Sequence, residues 1–475
     1  MRPLIFLLAT LSLAAQQPAR FLPEQACALC HTRIPNAGGS WRDDAGWVGP
    51  SHLWKNSMMA HAAQDPYWRA KIAFETALAP SEARAIEDKC LRCHAPIDQY
   101  PKRIAGTQLA LAGLTSLGRE GVSCTVCHQI EARGLGRAES FTGSFTLGTD
   151  DRIYGPFADP FTMPMLHHTG FTATEAGHIR QAALCGSCHT VITHPRGGGA
   201  DFVEQAPFLE WLASEYPQKG STCQSCHMPA LDSAQYIAHR PPGGAFPPTS
   251  PRSPFARHLF AGGNALVPAV LGNVEMESRA RQQLGRALKL DVTARREKGV
   301  AIVDVVVTNL TGHKLPTAFP SRQMWIHLQA RDNTGKVVFE SGGLDPASGA
   351  FAGGPEPVVF EAVYSDAQGR ATVSLLEAAR YRKDTRIPPA GFRASRLAEA
   401  GLRGFDIAPV AVPANIDLQP GMAIASFRVT SSAPLELEAE ALFRTIQPSH
   451  ELPAFPIPAK LRQPVSLARA TTTLR

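Results

Sequence analysis

Every cysteine of this 475-residue chain falls in one repeated pentapeptide, Cys-x-x-Cys-His. It occurs at Cys27-Cys30-His31, Cys90-Cys93-His94, Cys124-Cys127-His128, Cys185-Cys188-His189 and Cys223-Cys226-His227. Two thiols three positions apart, followed at once by an imidazole, suit one chemistry. The thiols add across the two vinyl groups of a porphyrin and the histidine turns back onto the iron, so each motif spells a covalently attached c-type haem. Zinc motifs do not place a histidine directly after every second cysteine. Disulfide frameworks do not pair cysteines three apart five times over in so long a chain. Five covalent haems are therefore expected, each with its motif histidine as one iron ligand.

The chain is long enough for two domains. Aromatics are 7% of residues, against 39 glycines and 39 prolines, which leaves a thin side-chain core and much loop. Five porphyrins supply apolar plates to pack on. Residues 1–15 (MRPLIFLLATLSLAA) combine a basic start, an apolar run and small residues, the pattern of a secretory signal peptide. No later stretch reaches about 18 uncharged apolar residues, so no transmembrane anchor is expected and the protein reads as periplasmic or otherwise exported. The formal charge of +6 is offset by haem propionates. No Lys/Arg run with interleaved aromatics points to nucleic acid.

All haem motifs lie before residue 228. Short helices are expected at 82–91 and 204–214, and helical character over 50–75 broken at Asp65-Pro66. A proline-rich connection, 240–254, follows. A linking helix is read over 275–290, and beyond it come alternating or β-branched runs at 288–294, 300–310, 324–330, 337–340, 423–429 and 435–443. Asp332-Asn333-Thr334-Gly335 reads as a hairpin turn. The fold class is thus α+β and multidomain. A loop-rich, mainly helical pentahaem domain (16–275) precedes an immunoglobulin-like β-sandwich with its linking helix (276–475).

Several segments carry a resemblance: Trp54-Lys55-Asn56-Ser57-Met58-Met59-Ala60 with Asp65-Pro66-Tyr67-Trp68, Gly121-Val122-Ser123, Phe202-Val203-Glu204-Gln205 with Glu210-Trp211, the fifth motif followed by Met228-Pro229, and Arg257-His258-Leu259-Phe260-Ala261-Gly262-Gly263-Asn264. With the haem motifs, they resemble the multihaem cytochrome c superfamily that includes the tetrahaem carrier of ammonia oxidisers and hydroxylamine oxidoreductase. Asn309-Leu310-Thr311-Gly312-His313-Lys314-Leu315-Pro316-Thr317 is similar to members carrying an added β domain. The resemblance implies the fold more narrowly than the chemistry, because activities in this group are diverse.

Sixteen histidines minus five in the motifs leaves eleven for the second axial positions. His258 is a candidate because it precedes a Gly-Gly pair that lets backbone approach a porphyrin. One of His167 and His168 is a second. His313, in an early loop of the β domain, reaches back toward a haem on this reading. His52 and Met59, seven apart on a helix, share a face and are alternatives. A methionine ligand would raise its haem's potential.

These features imply an electron carrier with mostly six-coordinate haems, relaying between a protein donor and acceptor, with docking through the β domain as a further expectation. The alternative is a multihaem oxidoreductase acting on a small nitrogen or sulfur compound at one five-coordinate haem. No CxxCK motif occurs. Asp65, Glu204, His194 and His239 are its candidate proton donors, not separable in sequence from ordinary polar residues.

Overall fold

The computed structural model describes residues 19–32, 42–43, 46–196, 198–238, 250–346 and 348–475. The signal segment, His239 and most of the proline-rich connection lie outside the described residues. The first half is built from short helices, several of which carry or flank a haem motif. These are α1 (Glu24–His31), α2 (Pro50–Lys55), α3 (Pro66–Leu78), α4 (Ala83–His94), α5 (Pro96–Ile104), α6 (Cys124–Cys127), α7 (Thr162–Thr169), α8 (Ala182–Gly186), α9 (Pro207–Leu212), α10 (Cys223–His227), α11 (Leu266–Val270) and α12 (Val274–Leu284). Four two-stranded ribbons brace the loops between them: β1 (Arg42–Asp43) with β2 (Gly46–Trp47), β3 (Arg152–Gly155) with β4 (Thr172–Glu175), β5 (Val191–Thr193) with β6 (Phe202–Gln205), and β7 (Ala230–Leu231) with β8 (Phe255–Ala256).

The break at Asp65-Pro66 is real. Asp65 caps α3, its Oδ1 accepting from Tyr67 N at 2.8 Å and Trp68 N at 3.1 Å, while Pro66 occupies the first turn where no N–H is needed. Two sequence expectations change. The helix carrying His52 stops at Lys55, so His52 and Met59 do not share a helical face. Residues 202–205 form strand β6 and the helix begins only at Pro207. Pairing with β5 and cover from Tyr364 and Tyr381 outweigh the local helical signal.

After α12 the chain is strand-rich. One sheet has the order β16 (Ile416–Gln419), β17 (Met422–Thr430), β10 (Val300–Asn309), β9 (Leu288–Glu297). The other runs β14 (Ala371–Thr372), β13 (Val358–Ser365), β11 (Gln323–Asp332), β18 (Leu435–Arg444), β19 (Val465–Leu474), with β12 (Val337–Ser341) paired to β11 and β15 (Arg380–Asp384) to β13. One apolar cluster draws Val303, Val305 and Val307 from the first sheet and Ile326, Leu328, Ala439 and Ala441 from the second. In β18, Leu435 and Leu437 are buried and Glu436 and Glu438 exposed, as alternation requires. From Glu440 both faces are covered, because Leu442 joins Trp325 and Val359 in a separate cluster on the outer side. At the Asp332–Gly335 turn the Asp332 side chain accepts from Thr334 N at 2.9 Å, and Gly335 takes φ +82.

The two halves interlock. Ala70 and Phe74 of α3 pack with Ile446, Leu452 and Phe455, and Phe208 and Leu209 of α9 with Phe392, Leu397 and Leu402. Glu75 accepts from Ser374 Oγ at 2.8 Å and Leu375 N at 2.7 Å.

Candidate haem-binding site

The five motifs sit at or beside helix C-termini: His31, His94 and His227 are the last residues of α1, α4 and α10, and His128 and His189 lie just beyond α6 and α8. Backbone carbonyls engage the Nδ1 of four of them. His31 meets Ile237 O at 2.6 Å, His94 meets Ala62 O at 2.9 Å, His128 meets Tyr154 O at 2.6 Å, and His227 meets Ala261 O at 2.6 Å. A carbonyl on Nδ1 leaves the Nε2 lone pair as the metal-binding position and fixes the ring's orientation. Burial holds these rings in the neutral form that ligation needs: His94 and His189 are pushed down to about 4, and His128 and His227 are also lowered.

Two further histidines face motif histidines. The His128 and His258 rings lie 6.3 Å apart at 17°, and the His227 and His313 rings 6.4 Å apart at 19°. Imidazoles bound through Nε2 on opposite sides of one metal, at roughly 2 Å per metal–nitrogen bond, put their ring centres about 6 Å apart. Both pairs match this spacing, and both incoming rings are anchored the same way. His258 Nδ1 meets Ala256 O at 3.1 Å, and His313 Nδ1 meets Lys314 O at 2.9 Å. Burial pushes His258 down to about 3 and His313 to about 4. The residues present therefore fit the group the motifs imply.

The other candidates are placed differently. His52 Nε2 lies 3.8 Å from Glu275 Oε1. His168, exposed on α7, directs Nε2 to Ala26 O at 3.1 Å, and His167 beside it is exposed. Met59 packs with Ile97, Val122 and Val126, while its carbonyl accepts from Val122 N at 3.0 Å. Among the described residues no second histidine ring faces His94 or His189 at the spacing of the two pairs. Trp68 instead stacks flat on His94, centroids 4.3 Å apart at 9°.

The His313 loop is held by a network not foreseen from the sequence. Asn309 Nδ2 donates to His313 O at 2.8 Å and to Ile387 O at 2.9 Å, closing the loop on itself. Lys314, fully buried, pairs with Asp384 at 2.6 Å; Asp384 pairs with Arg386 at 2.7 Å; Arg386 reaches Glu210 of α9 at 3.1 Å. Glu210 Oε2 accepts from Lys314 N at 3.1 Å and from Thr317 Oγ1. Two cations and two anions thus cancel across the junction between the halves. The neighbouring charges hold Asp384 below its usual range despite burial. Arg322, in the same region, donates to Thr317 O at 2.9 Å and forms no ion pair among the described residues. Burial pushes it down to about 10, and its charge reaches His189, His227 and His313.

The cysteines also meet across motifs. Cys27 lies close enough to Cys124 for the two side chains to interact, as does Cys93 to Cys188 and Cys185 to Cys223. Cys127 lies within electrostatic reach of Cys188. The first motif therefore abuts the third, the third approaches the fourth, and the fourth touches both the second and the fifth.

Residues 26–129, which hold the first three motifs, match the family model described as cytochrome c554 and c-prime. No curated protein matches the chain. Among solved structures, the penta-heme cytochrome c552 from Thermochromatium tepidum superposes with a TM-score of 0.61 at 20% identity, over 96% of this chain and 100% of that one. The fold is that of a multihaem cytochrome c. Its cofactors are covalently bound c-type haems, and the strand-rich second half is part of the shared architecture. No helix among the described residues is long and apolar enough to cross a membrane.

Close backbone packing explains two glycines near the motifs. Gly121 takes φ +70, and a Cβ there would lie 2.5 Å from Met59 O. Gly143 takes φ +69, and its Cβ would lie 2.7 Å from Arg92 Cβ and 3.0 Å from Cys93 Sγ.

Proposed function

We propose that the protein is an exported pentahaem cytochrome that relays electrons between a donor and an acceptor protein. The observation that carries this reading is the closeness of cysteines of different motifs, which would bring the edges of neighbouring haems together in a branched chain. The haem irons supply the one-electron couple. The chain's own residues set spacing, burial and axial ligation. On this reading Cys27, Cys30, Cys90, Cys93, Cys124, Cys127, Cys185, Cys188, Cys223 and Cys226 are the attachment points, and His31, His94, His128, His189 and His227 the proximal ligands. His258 caps the third haem and His313 the fifth. Arg322, with no carboxylate partner among the described residues and its charge reaching His189 and His227, would pair with a haem propionate.

The placement of His94 and His189 favours a second reading, in which one of these haems is five-coordinate and acts on a small nitrogen or sulfur compound. Electron paramagnetic resonance of the oxidised holoprotein separates the two. Low-spin signals alone support the relay; a high-spin signal that shifts with added nitrite or hydroxylamine supports the oxidoreductase.

A further inference from the structure

A buried carboxyl lies near the second motif: Lys89, next to Cys90, donates to Ile192 O at 3.1 Å, and Ile192 pairs with Val203, the neighbour of Glu204. Glu204, on β6, is 2% exposed. Its Oε1 accepts from Gln205 Nε2 at 3.0 Å, its backbone carbonyl accepts from the Tyr364 hydroxyl, and it forms no ion pair among the described residues. The charged groups within electrostatic reach are Lys71 and Glu75 of α3 and Lys89 and Cys90 of α4; Tyr364 of β13 bonds the Glu204 carbonyl and Tyr381 of β15 that of Val203.

Neither lysine is committed to Glu204. Lys71 Nζ binds Glu75 Oε1 at 2.7 Å and Val373 O at 2.6 Å, and Lys89 Nζ donates to Ile192 O at 3.1 Å. Glu75 in turn is bound by donors from the second half. Glu204 is left with one amide and two cations at longer range, and burial pushes its carboxyl up to about 7. Its charge reaches Cys90. Charged groups lead from this side toward the surface. Half-buried Lys89 also faces Asp201, which is exposed and bonded to exposed His194.

We propose that Glu204 is a redox-linked proton-binding site, taking up one proton from solvent when the haem anchored at Cys90 and Cys93 is reduced and releasing it on oxidation. The electron comes from a reduced protein donor and stays on the iron. The proton forms the O–H bond of Glu204, and no other bond forms or breaks. The physical basis is local: an added electron makes the region more negative, which strengthens the carboxylate's hold on a proton in a low-dielectric site. Reciprocally, a protonated Glu204 makes reduction easier. The proton and electron then move together, so little net charge is left in the interior. This inference rests on a haem at the second motif, which haem quantification of Cys90→Ala tests on its own.

The experiment is a spectroelectrochemical titration of the holoprotein from about pH 5 to pH 9, spanning the carboxyl's shifted range. In the native chain one haem midpoint falls as pH rises. The limit is one proton per electron, tenfold per pH unit, or 59 mV per unit. In Glu204→Gln that slope disappears and the midpoint stays at its acid-side value throughout. A Glu204→Gln slope equal to the native one assigns the proton elsewhere and overturns the proposal, as does a native chain with no pH-dependent midpoint. Lys89→Met provides an independent arm. Losing a cation that favours the carboxylate moves the sloping window to higher pH, and an unmoved window refutes the assignment. Redox-difference infrared spectra should show a carboxylic C=O band gained on reduction in the native protein and absent in Glu204→Gln; a band unchanged by the substitution counts against it.

Discussion

Glu210→Gln tests whether the buried charge network positions the fifth haem's ligand. The substitution keeps the size and much of the hydrogen bonding to Lys314 N and Thr317 but removes one of two anions from a set whose charges cancel. Arg386 sits 3.1 Å from Glu210 Oε1, and both side chains are at most 3% exposed. At an effective dielectric of about 20, that attraction is about 5 kcal/mol. Breaking a buried pair by removing one partner costs about 3–5 kcal/mol, because the remaining charge stays buried. Denaturant unfolding of the holoprotein should show a loss of that order.

The functional prediction is narrower. Glu210 holds Lys314 N directly, and Lys314 is the residue after His313. Loosening that backbone should move one haem from low spin toward high spin and make it bind carbon monoxide in the reduced state. Absorption and paramagnetic resonance spectra read this separately from stability. A variant that loses stability while all haem spectra remain native would refute the positioning role and leave the network as part of the core alone. The double variant Glu210→Gln/Arg386→Met should recover part of the stability, since it removes the stranded cation with its partner.

His313→Ala should leave five haems attached but convert one to a form that binds exogenous imidazole, and unchanged spectra would remove His313 from the ligand set. His258→Met should keep its haem low-spin with a raised potential, checked by redox titration. Gly143→Ala forces a side chain into positive φ and against Arg92 and Cys93. A loss of about 1–3 kcal/mol is expected, with reduced haem occupancy by mass spectrometry. Glu204 carries a folded-state value raised from 4.5 to about 7. Folding therefore becomes less favourable as pH rises through that window, by about 3 kcal/mol at its upper end. Glu204→Gln should abolish this loss, giving a variant more stable than the native chain at pH 8 but not at pH 4; equal pH profiles in denaturant melts would contradict it.

What the sequence made legible follows the range of each interaction. Haem attachment is written within five residues, so all five motifs were readable outright. His258 and His313 stood out because their neighbours, a Gly-Gly pair and a shaped loop, constrain backbone locally. Their partners did not: that His258 faces His128, and His313 faces His227, depends on contacts between distant segments. The charge network was hidden for the same reason, since Glu210, Lys314, Asp384 and Arg386 are ordinary polar residues until folding brings them together. Strands of the second half were visible in alternation, as in Leu435 to Glu438. Residues 204–205, expected to open the helix, were misread because a four-residue strand carries too little period to separate it from helix, and tertiary cover decided it.

The crossing of motifs bears on how such a chain is made. Cys27 meets Cys124 and Cys93 meets Cys188, so each early motif is covered by a later one. Folding of a later motif against an earlier one narrows the approach to these thiols, so attachment is easier while the thread is still open. His313 lies C-terminal to every attachment point in the chain. Completion of the fifth ligand set can thus serve as a seal, formed only on a chain whose earlier additions are already in place.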